Sequence, residues 1–311
     1  NFLNLKRLPD STWLTTGFTP IFTLLKMTAS RSSFDMPASR TKSFSLLGSV
    51  YAGTKAKEFE QCLQSIENQT LAPNQVVVVL DGPVDADVQK VLHSFSSRLP
   101  LRTVVLSNNQ GLGRALRAGL EQCAHNFVGR FDTDDICLEN RFENQVSFLL
   151  SNPDVSVVGS LMRETYHLGR KSIICDRSGA PGGVNLRSWA KRRNPLNHPT
   201  VVFRKDAISA VGGYVDCPLF EDYFLWARLI LANHKIVNLD FVGVETVVDN
   251  DFFSRRGGLA YLKCEIQFLK ELYTIGFLNL FDLIAWGMIR MPIRVLPVQC
   301  RKWLYLKFLR S

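Results

Sequence analysis

Short runs of apolar, β-branched residues alternate with amphipathic stretches along much of this chain. The clearest run is Q-V-V-V-V-L at residues 75–80, which stops at a D-G-P turn. Further apolar runs occupy residues 44–51, 101–106 and 127–131, and helical spacing of apolar residues fills the intervals between the runs. Strands that alternate with helices in this way build a mostly parallel sheet with helices on both faces. We therefore predict an α/β, Rossmann-like fold.

The rest of the chain divides into regions of different composition. Residues 1–42 are rich in Ser, Thr, Pro and Arg without clear periodicity, so we expect a poorly ordered N-terminal extension. Residues 43–265 are expected to form the α/β domain, in which residues 163–193 are basic and expected to be loop-rich. Residues 266–311 interleave aromatic residues and leucines with Arg and Lys, which predicts C-terminal basic amphipathic helices.

Composition limits the partners. The net charge of +9 over 311 residues favours an anionic partner, such as a nucleotide, a nucleic acid or an acidic membrane surface. The seven cysteines are scattered and include no C-x-x-C pair, so we expect reduced thiols rather than a disulfide framework or a zinc site. We find no run of about 18 uninterrupted apolar residues, so no membrane-spanning helix is expected.

Three carboxylates crowd the sequence G-R-F-D-T-D-D directly after the strand predicted at residues 127–131. They are Asp132, Asp134 and Asp135, and ligands bind at this end of parallel strands. Helix capping accounts for one or two of them, but not for three. A calcium loop requires D-x-D-x-D-G, which is absent. Carboxylates without Cys or His favour Mg²⁺ or Mn²⁺, whose coordination is completed by a ligand's phosphates.

A second acid pair, Glu221 and Asp222, stands just before a predicted helix. Capping of that helix is the simpler interpretation. The functional interpretation is a general base that removes a proton from an attacking hydroxyl group. His198, in N-P-L-N-H-P-T, is either a hydrogen-bonded structural residue or a ligand-facing one.

Several motifs follow one another in order along residues 44–258. They include V-V-V-V-L-D-G-P, N-N-Q-G-L-G-R-A-L, G-R-F-D-T-D-D, N-H-P-T-V-V-F-R-K-D and F-E-D-Y-F-L-W-A-R. The ordered set resembles family 2 glycosyltransferases with the GT-A fold, and is most similar to the bacterial enzymes of O-antigen and amylovoran-type exopolysaccharide biosynthesis. The resemblance implies an inverting hexosyltransferase that moves galactose or glucose from a UDP-sugar. The implied acceptor is a saccharide linked to undecaprenyl diphosphate, at the cytoplasmic face of the bacterial inner membrane.

The resemblance also implies roles for the acidic residues. Asp134 is expected to be the principal ligand of a Mn²⁺ or Mg²⁺ ion, with Asp135 supporting it. Asp132 is expected to bond the ribose or the donor sugar. Asp222 is the expected general base, and Glu221 is the alternative base or a ligand of the acceptor sugar.

Nucleotide contacts are expected at the ends of the first two strands and from basic residues. They are predicted for Tyr51, Ala52, Gly53, Asp81, Arg114, Arg130, Arg255 and Arg256. The alternative for Arg130 is a solvated charge at a strand edge, and the alternative for Arg255 and Arg256 is a solvated basic loop. His198, if functional, is expected to face the acceptor or the diphosphate. Many relatives carry two acids before the Gly of the second strand end, whereas this chain has Leu80 at the first of those positions.

Other functions and another use of the tail stay open at this point. A nucleotidyltransferase of similar fold usually carries a loop like G-x-G-T-R after its first strand, where this chain has Y-A-G-T-K. A nucleic-acid-binding protein would suit the net charge, but no such motif is present and no nucleic acid is expected as a partner. The tail suits an acidic membrane surface, and packing against the α/β domain is its alternative.

Overall fold

The structure is a computed structural model that describes residues 42–168, 171–248 and 256–301. Arg255 and all but the last residue of the predicted N-terminal extension lie outside the described residues. So do the last ten residues of the basic tail.

The described strands form one sheet in the order β3-β2-β1-β4-β8-β6-β9-β5, with β7 paired beside β6. Strands β3, β2, β1 and β4 are parallel, as predicted, and β8 then joins β4 antiparallel. The nine strands are β1 (Phe44–Val50), β2 (Gln75–Asp81), β3 (Leu101–Leu106), β4 (Phe127–Arg130), β5 (Asp135–Cys137), β6 (Val155–Leu168), β7 (Lys171–Arg177), β8 (Val202–Arg204) and β9 (Lys235–Val248).

Helices cover both faces of the sheet, which confirms the prediction. Side chains alternate along a strand, so Val76 and Val78 of β2 pack on one face while Val77 and Val79 pack on the other, and all four are fully buried. The described α-helices are α1 (Ala56–Glu67), α2 (Ala86–Phe95), α3 (Leu112–Gln122), α4 (Arg141–Ser151), α5 (Leu186–Ala190), α6 (Lys205–Ala210), α7 (Glu221–Leu231), α8 (Gly258–Thr274) and α9 (Leu280–Val295).

The expectation of a loop-rich stretch over residues 163–193 was wrong. Strand β6 continues to Leu168 and pairs antiparallel with β7, and α5 follows. Charged side chains hide the strand pattern because they pair across the ribbon instead of alternating with apolar residues. Arg163 lies 2.9 Å from Asp176 across the two strands.

The two C-terminal helices pack on α7 through aromatic side chains. Phe220, just before α7, stacks on Phe268 of α8 with ring centroids 4.5 Å apart, and Trp286 of α9 lies against the same ring. The predicted boundary between residues 265 and 266 therefore falls inside a continuous helix, α8. Among the described residues no helix has the length and apolar character needed to cross a membrane.

Arg290, Arg294 and Arg301 turn toward the protein, whereas a basic helix that lies on a membrane exposes its arginines. Arg294 donates to both oxygens of Glu265, at 2.7 and 3.0 Å, and Arg290 lies 3.7 Å from the same carboxylate. Glu265 is only 1% exposed and Arg301 is also buried. Arg290, Arg294 and Arg301 therefore do not form an outward basic face, because a buried carboxylate draws the first two inward. The predicted contact of the tail with an acidic membrane surface stays a prediction.

Candidate active site

The parallel half of the sheet brings the predicted nucleotide and metal residues to one edge. Strands β1, β2 and β4 run in the same direction, and their carboxyl ends carry Tyr51, Asp81 and the Asp132 loop. Asp132 follows the end of β4 by two residues, Asp134 lies in the next turn, and Asp135 begins β5. Position in the sheet thus gathers these groups as the sequence predicted.

A buried arginine lies inside the carboxylate cluster. Arg130 is the last residue of β4, is 1% exposed, and its guanidinium forms an ion pair with Asp132. The alternative of a solvated charge at a strand edge is therefore wrong, because β4 is an internal strand between β1 and β8. In the described part of the chain Nε and Nη1 of Arg130 have no hydrogen-bond partner. Its charge is nevertheless close enough to Asp134, Asp135 and Glu221 to lower the pKa of each carboxyl.

One arginine does not neutralise the cluster. Loss of hydration and the negative charge of Asp132 raise the pKa of Asp134 to about 6, although the Asp134 side chain reaches solvent. Burial, then Asp132 and Asp134, raise the pKa of Asp135 well above its usual range, and Thr246 bonds that carboxyl. The loop therefore has excess negative charge that a cation relieves.

The chemistry of these donors fits Mg²⁺ or Mn²⁺. Both ions prefer carboxylate oxygens and readily take further oxygen ligands from a bound phosphate. Within the described residues no three Asp, Glu, His or Cys side chains converge on one point, so a closed protein cage of acidic, His and Cys ligands is not present there. A pair of carboxylates completed by substrate oxygens is the arrangement that remains.

The turn after β1 presents an aromatic ring. Tyr51 and Thr54 close the turn through bonds of 3.0 Å and 2.9 Å, and the Tyr51 side chain is half exposed. A Cβ atom at Gly53 would lie 2.5 Å from the Tyr51 ring, so only glycine lets the ring fold over this turn. An exposed ring beside a strand end can stack on a nucleobase.

Asp81 at the end of β2 braces the next loop. Its two carboxylate oxygens accept the backbone N–H groups of Gln110 and Gly111, at 2.7 and 3.0 Å, just before α3. These bonds fix the turn in which Gly111 adopts φ 87°. The predicted contact of Asp81 with a base stays a prediction, and the structure adds this local role.

Helix α3 touches the loop that leads to the second acid pair. A Cβ at Gly113 would lie 2.9 Å from the Val215 carbonyl oxygen and 3.2 Å from Cβ of Glu221. One residue later, Arg114 donates to Asp216 through two bonds of 2.6 and 3.1 Å. Arg114 was predicted to contact the nucleotide or its diphosphate, which stays a prediction, and the structure adds an exposed ion pair between α3 and the segment before α7.

The second acid pair opens α7. Burial and the neighbouring Asp222 raise the pKa of Glu221 to about 7, and its other charged neighbours are Arg130 and Asp132. Asp222 faces different groups. Asn194 donates to its Oδ2 at 2.7 Å, and the backbone N–H of Tyr223 donates to Oδ1 at 2.7 Å. Burial raises the Asp222 pKa, whereas these two bonds lower it.

His198 is buried beneath the cluster rather than open to solvent. Its Nε2 forms a 2.9 Å hydrogen bond with the Tyr214 hydroxyl, and its ring packs edge-on to Trp226. Burial and then the positive Arg130 lower the His198 pKa well below its usual range, so the ring is neutral at pH 7. A hydrogen-bonded structural His was one of the two interpretations and matches this packing. A role at the acceptor stays untested.

The basic residues before α8 divide between described and undescribed parts of the chain. Arg255 lies outside the described residues. Arg256 is exposed, and its charge lowers the pKa of Asp222. The structure therefore relates Arg256 to the second acid pair, whereas the sequence related it only to the diphosphate.

Three residues of the site were missed by sequence reasoning. They are Asn194, Tyr214 and Arg141. Arg141, fully buried, donates from Nη2 to the Arg130 backbone oxygen at 2.6 Å and so fixes the end of β4. The signals were present but ambiguous, since Asn194 directly follows the stretch expected to be loop-rich and Arg141 lies in a predicted helix.

Comparison with known proteins decides the family. The sequence matches the profile described as Glycosyl transferase family 2 over residues 50–208, about half of the chain. The chain belongs to this family. Amylovoran biosynthesis glycosyltransferase AmsE of Erwinia amylovora is 37% identical over 85% of this chain and 98% of its own length. An Escherichia coli UDP-Gal:alpha-D-GlcNAc-diphosphoundecaprenol beta-1,3-galactosyltransferase is 34% identical over 87% of this chain and 98% of its own length.

Solved structures support the predicted GT-A fold. S. aureus TarS 1-349 in complex with UDP matches with a TM-score of 0.55 at 16% identity, over 84% of this chain and 78% of that one. Mannosyltransferase PcManGT from Pyrobaculum calidifontis, in complex with GDP-Man and Mn²⁺, matches with a TM-score of 0.52 at 15% identity, over 86% of this chain and 81% of that one. At these identities the likeness concerns the fold alone. Together with the family match, it makes this family 2 chain a glycosyltransferase rather than a nucleotidyltransferase or a nucleic-acid-binding protein.

The first prediction concerns Arg130. Arg130→Met removes a buried charge from among four carboxylates, and we expect a loss of about 3–5 kcal/mol of unfolding free energy at pH 8. Arg114→Met, which breaks the exposed pair with Asp216, should cost at most about 1 kcal/mol. Both are measured by chemical denaturation.

The pH dependence of the Arg130→Met loss gives a second measurement. Without Arg130, carboxyl pKa values that are already raised to about 6 and about 7 rise further in the folded state. The folded state then binds more protons than the unfolded chain, so stability should recover as the pH falls below about 7. A deficit that is the same at pH 8 and pH 5.5 would contradict the role of Arg130 as counter-charge.

Proposed function

We propose that this glycosyltransferase moves a hexose, galactose or glucose, from a UDP-sugar to a saccharide carried on undecaprenyl diphosphate. The reaction inverts the anomeric centre and contributes to a bacterial surface polysaccharide of the O-antigen or exopolysaccharide type. The enzyme acts as a peripheral protein on the cytoplasmic face of the inner membrane.

One observation carries this proposal, namely two acid clusters with different surroundings that meet at one end of the sheet. The Asp132 loop retains excess negative charge beside the exposed Tyr51 ring, which suits a nucleoside diphosphate with its cation. Asp222 has different surroundings, because Asn194 donates a hydrogen bond to its carboxylate and the charge of Arg256 lowers its pKa. The relatives named above, one of which uses UDP-Gal and a diphosphoundecaprenol-linked sugar, support the substrate class.

In this proposal Asp134 and Asp135 hold Mn²⁺ or Mg²⁺, with Asp134 as the principal ligand because its carboxylate reaches solvent. The bound ion would act as a Lewis acid on the diphosphate leaving group. Asp132, held by Arg130, contacts the ribose or donor sugar. Tyr51, Ala52 and Gly53 form the base-binding turn.

Asp222 then takes the proton of the acceptor hydroxyl as its oxygen attacks the anomeric carbon. The side-chain amide of Asn194 and the N–H of Tyr223 fix the carboxylate orientation, which makes Asn194 a positioning residue. Two carboxyls this close titrate together, so the acid limb of the rate profile belongs to the pair. Glu221, whose charged neighbours are Arg130 and Asp132, balances charge on the donor side.

The function is tested by release of UDP from a panel of nucleotide sugars, with a short lipid-diphosphate-sugar as acceptor. We expect acceptor-dependent release from UDP-galactose or UDP-glucose, loss of activity with EDTA, and recovery with Mn²⁺ or Mg²⁺. Asp134→Asn should need more metal for half-maximal rate, whereas Asp206→Asn, an exposed acid on α6, should not. Transfer from GDP-sugars alone, or full activity in EDTA, would reject the donor or the metal.

A further prediction separates the two acids. Asp222→Asn should lower kcat by about 10²–10⁴-fold, the contribution of a general base, while titration calorimetry shows unchanged UDP binding. Glu221→Gln should lower kcat less. A larger loss in Glu221→Gln than in Asp222→Asn would transfer the role of base to Glu221.

Asn194 gives a prediction that a purely structural residue would not satisfy. Asn194→Ala removes a hydrogen bond that lowers the Asp222 pKa, so the acid limb of kcat should move to higher pH. The loss of one bond to a charged group corresponds to about 1.5–3 kcal/mol, or roughly 10- to 150-fold in kcat. The KM for the UDP-sugar should stay the same.

Asn185→Ala is the matched control, because Asn185 caps α5 nearby without contacting Asp222. It should leave the pH profile unchanged. If Asn194→Ala lowers kcat equally at all pH values, Asn194 supports the fold and does not position the base.

A further inference from the structure

Helix α9 has a second apolar side that faces away from the protein, in addition to Leu283, Trp286 and Met291, which pack inward. Large apolar side chains three or four residues apart are exposed along it, with Met288 and Ile289 adjacent, and the exposed fractions are Phe281 83%, Ile284 49%, Met288 69% and Ile289 67%. Ala285, also exposed, lies within this stripe, and the exposed Pro292 continues it toward the end of the helix. Over three turns the stripe contains no charged residue. We call these six residues the α9 stripe.

All three charged residues of α9 point to the opposite side. Asp282 bonds Lys191 at 2.6 Å, and Arg290 and Arg294 turn to the buried Glu265. Arg290 also covers the Trp286 ring and Arg294 the Tyr261 ring. A surface helix ordinarily exposes its charges, whereas the exposed side of α9 is apolar and its charged residues lie on the inner side beside Leu283, Trp286 and Met291.

We propose that the α9 stripe inserts into the interface of a phospholipid bilayer and holds the enzyme at its acceptor. This rests on the proposed function, in which the acceptor is anchored to a lipid. A helix of 16 residues whose exposed side is apolar, and which is too short to span a bilayer, lies in the plane of the interface, with the exposed apolar side chains below the headgroups. A continuous exposed apolar surface of this kind marks an interaction site.

Charge supports a lipid partner over a second copy of the chain. The exposed side of α8 carries Lys263 and Lys270 among Leu259, Ile266 and Tyr273. Lysines interleaved with exposed apolar residues suit anionic headgroups, each lysine adding attraction within a Debye length of the surface. Two copies meeting through these helices would bring like charges together.

The stripe is also connected to the candidate base. On its inner side, Trp286 donates to the Lys191 carbonyl oxygen and Arg290 donates to the Arg192 carbonyl oxygen. Two residues further along the chain, Asn194 holds Asp222. A bilayer bound at α9 therefore lies at the side of the enzyme where the acceptor hydroxyl must reach its base.

Vesicle sedimentation tests the proposal with the full chain and two double variants. Phe281→Glu with Met288→Glu places two charges in the stripe at exposed positions. Val105→Glu with Gln89→Glu adds the same charges to exposed positions of β3 and α2 and serves as the control. The vesicles are phosphatidylcholine alone, or phosphatidylcholine with 30% phosphatidylglycerol, at 0.1 M and 0.5 M salt.

We expect the wild type and the control to sediment with the anionic vesicles and to remain partly bound at 0.5 M salt. The stripe variant should bind at least tenfold more weakly in both salts. Complete release of the wild type by salt would show that lysines alone bind and would overturn insertion. Equal binding of the stripe variant and the wild type to the vesicles would also overturn insertion. So would a dimeric wild type and control with a monomeric stripe variant, because the stripe would then be a dimer interface.

A soluble acceptor mimic separates this proposal from the proposed function. The stripe variant should transfer hexose to the soluble mimic at the wild-type rate and lose at least tenfold in rate only with a vesicle-embedded acceptor. Equal loss with both acceptors would show damage to the site and would reject the stripe as a docking surface. No transfer by the wild type to either acceptor would reject the proposed function, whatever the vesicles show.

Discussion

The ion pair of the buried Arg130 with Asp132 is the interaction on which the rest of the site depends. Asp134, Asp135 and Glu221 share the field of that one guanidinium, and burial raises the pKa of each. With no positive charge the four carboxyls would protonate or separate. The single charge of Arg130 lets them stay close but does not neutralise them. The site is thereby stable enough to fold and negative enough to take up a divalent cation with its diphosphate.

The two halves of the site come from distant parts of the chain, and small contacts join them. The parallel strands supply the Asp132 loop, while the segment before α7 supplies the candidate base. Gly113 lets α3 approach that segment closely, since a Cβ atom there would lie only 3.2 Å from Cβ of Glu221. The next residue, Arg114, pairs with Asp216 of the same segment. Because Arg114 and Asp216 are both half exposed, their pair is weak. Its loss would therefore cost the fold little, and the predicted contact of Arg114 with the nucleotide or its diphosphate stays a prediction.

Much of the sheet could be predicted from the sequence because each buried parallel strand is an apolar run with its own boundary. The run at residues 75–80 became β2, and the clustering of Tyr51, Asp81 and Asp132 followed from strand direction. Polar residues were harder. The strands of the β6–β7 ribbon carry pairs such as Arg163 with Asp176, which remove the alternation that reveals a strand. The depth of Arg130 and the bond from Asn194 to Asp222 depend on tertiary neighbours that no local pattern specifies.

The orientation of α9 shows the same limit from another direction. A helical period identifies two sides of a helix but not which one faces the protein, and basic residues by default are placed in solvent. One residue on the preceding helix reverses that choice. Glu265 is buried on α8, and a buried carboxylate without a cation costs several kcal/mol. Arg290 and Arg294 therefore have to turn inward, and since Asp282 also points inward, Phe281, Ile284 and Met288 have only the outside left. The buried glutamate therefore fixes the outward direction of the stripe together with Trp286, which packs against Tyr223 and Phe268 on the inner side.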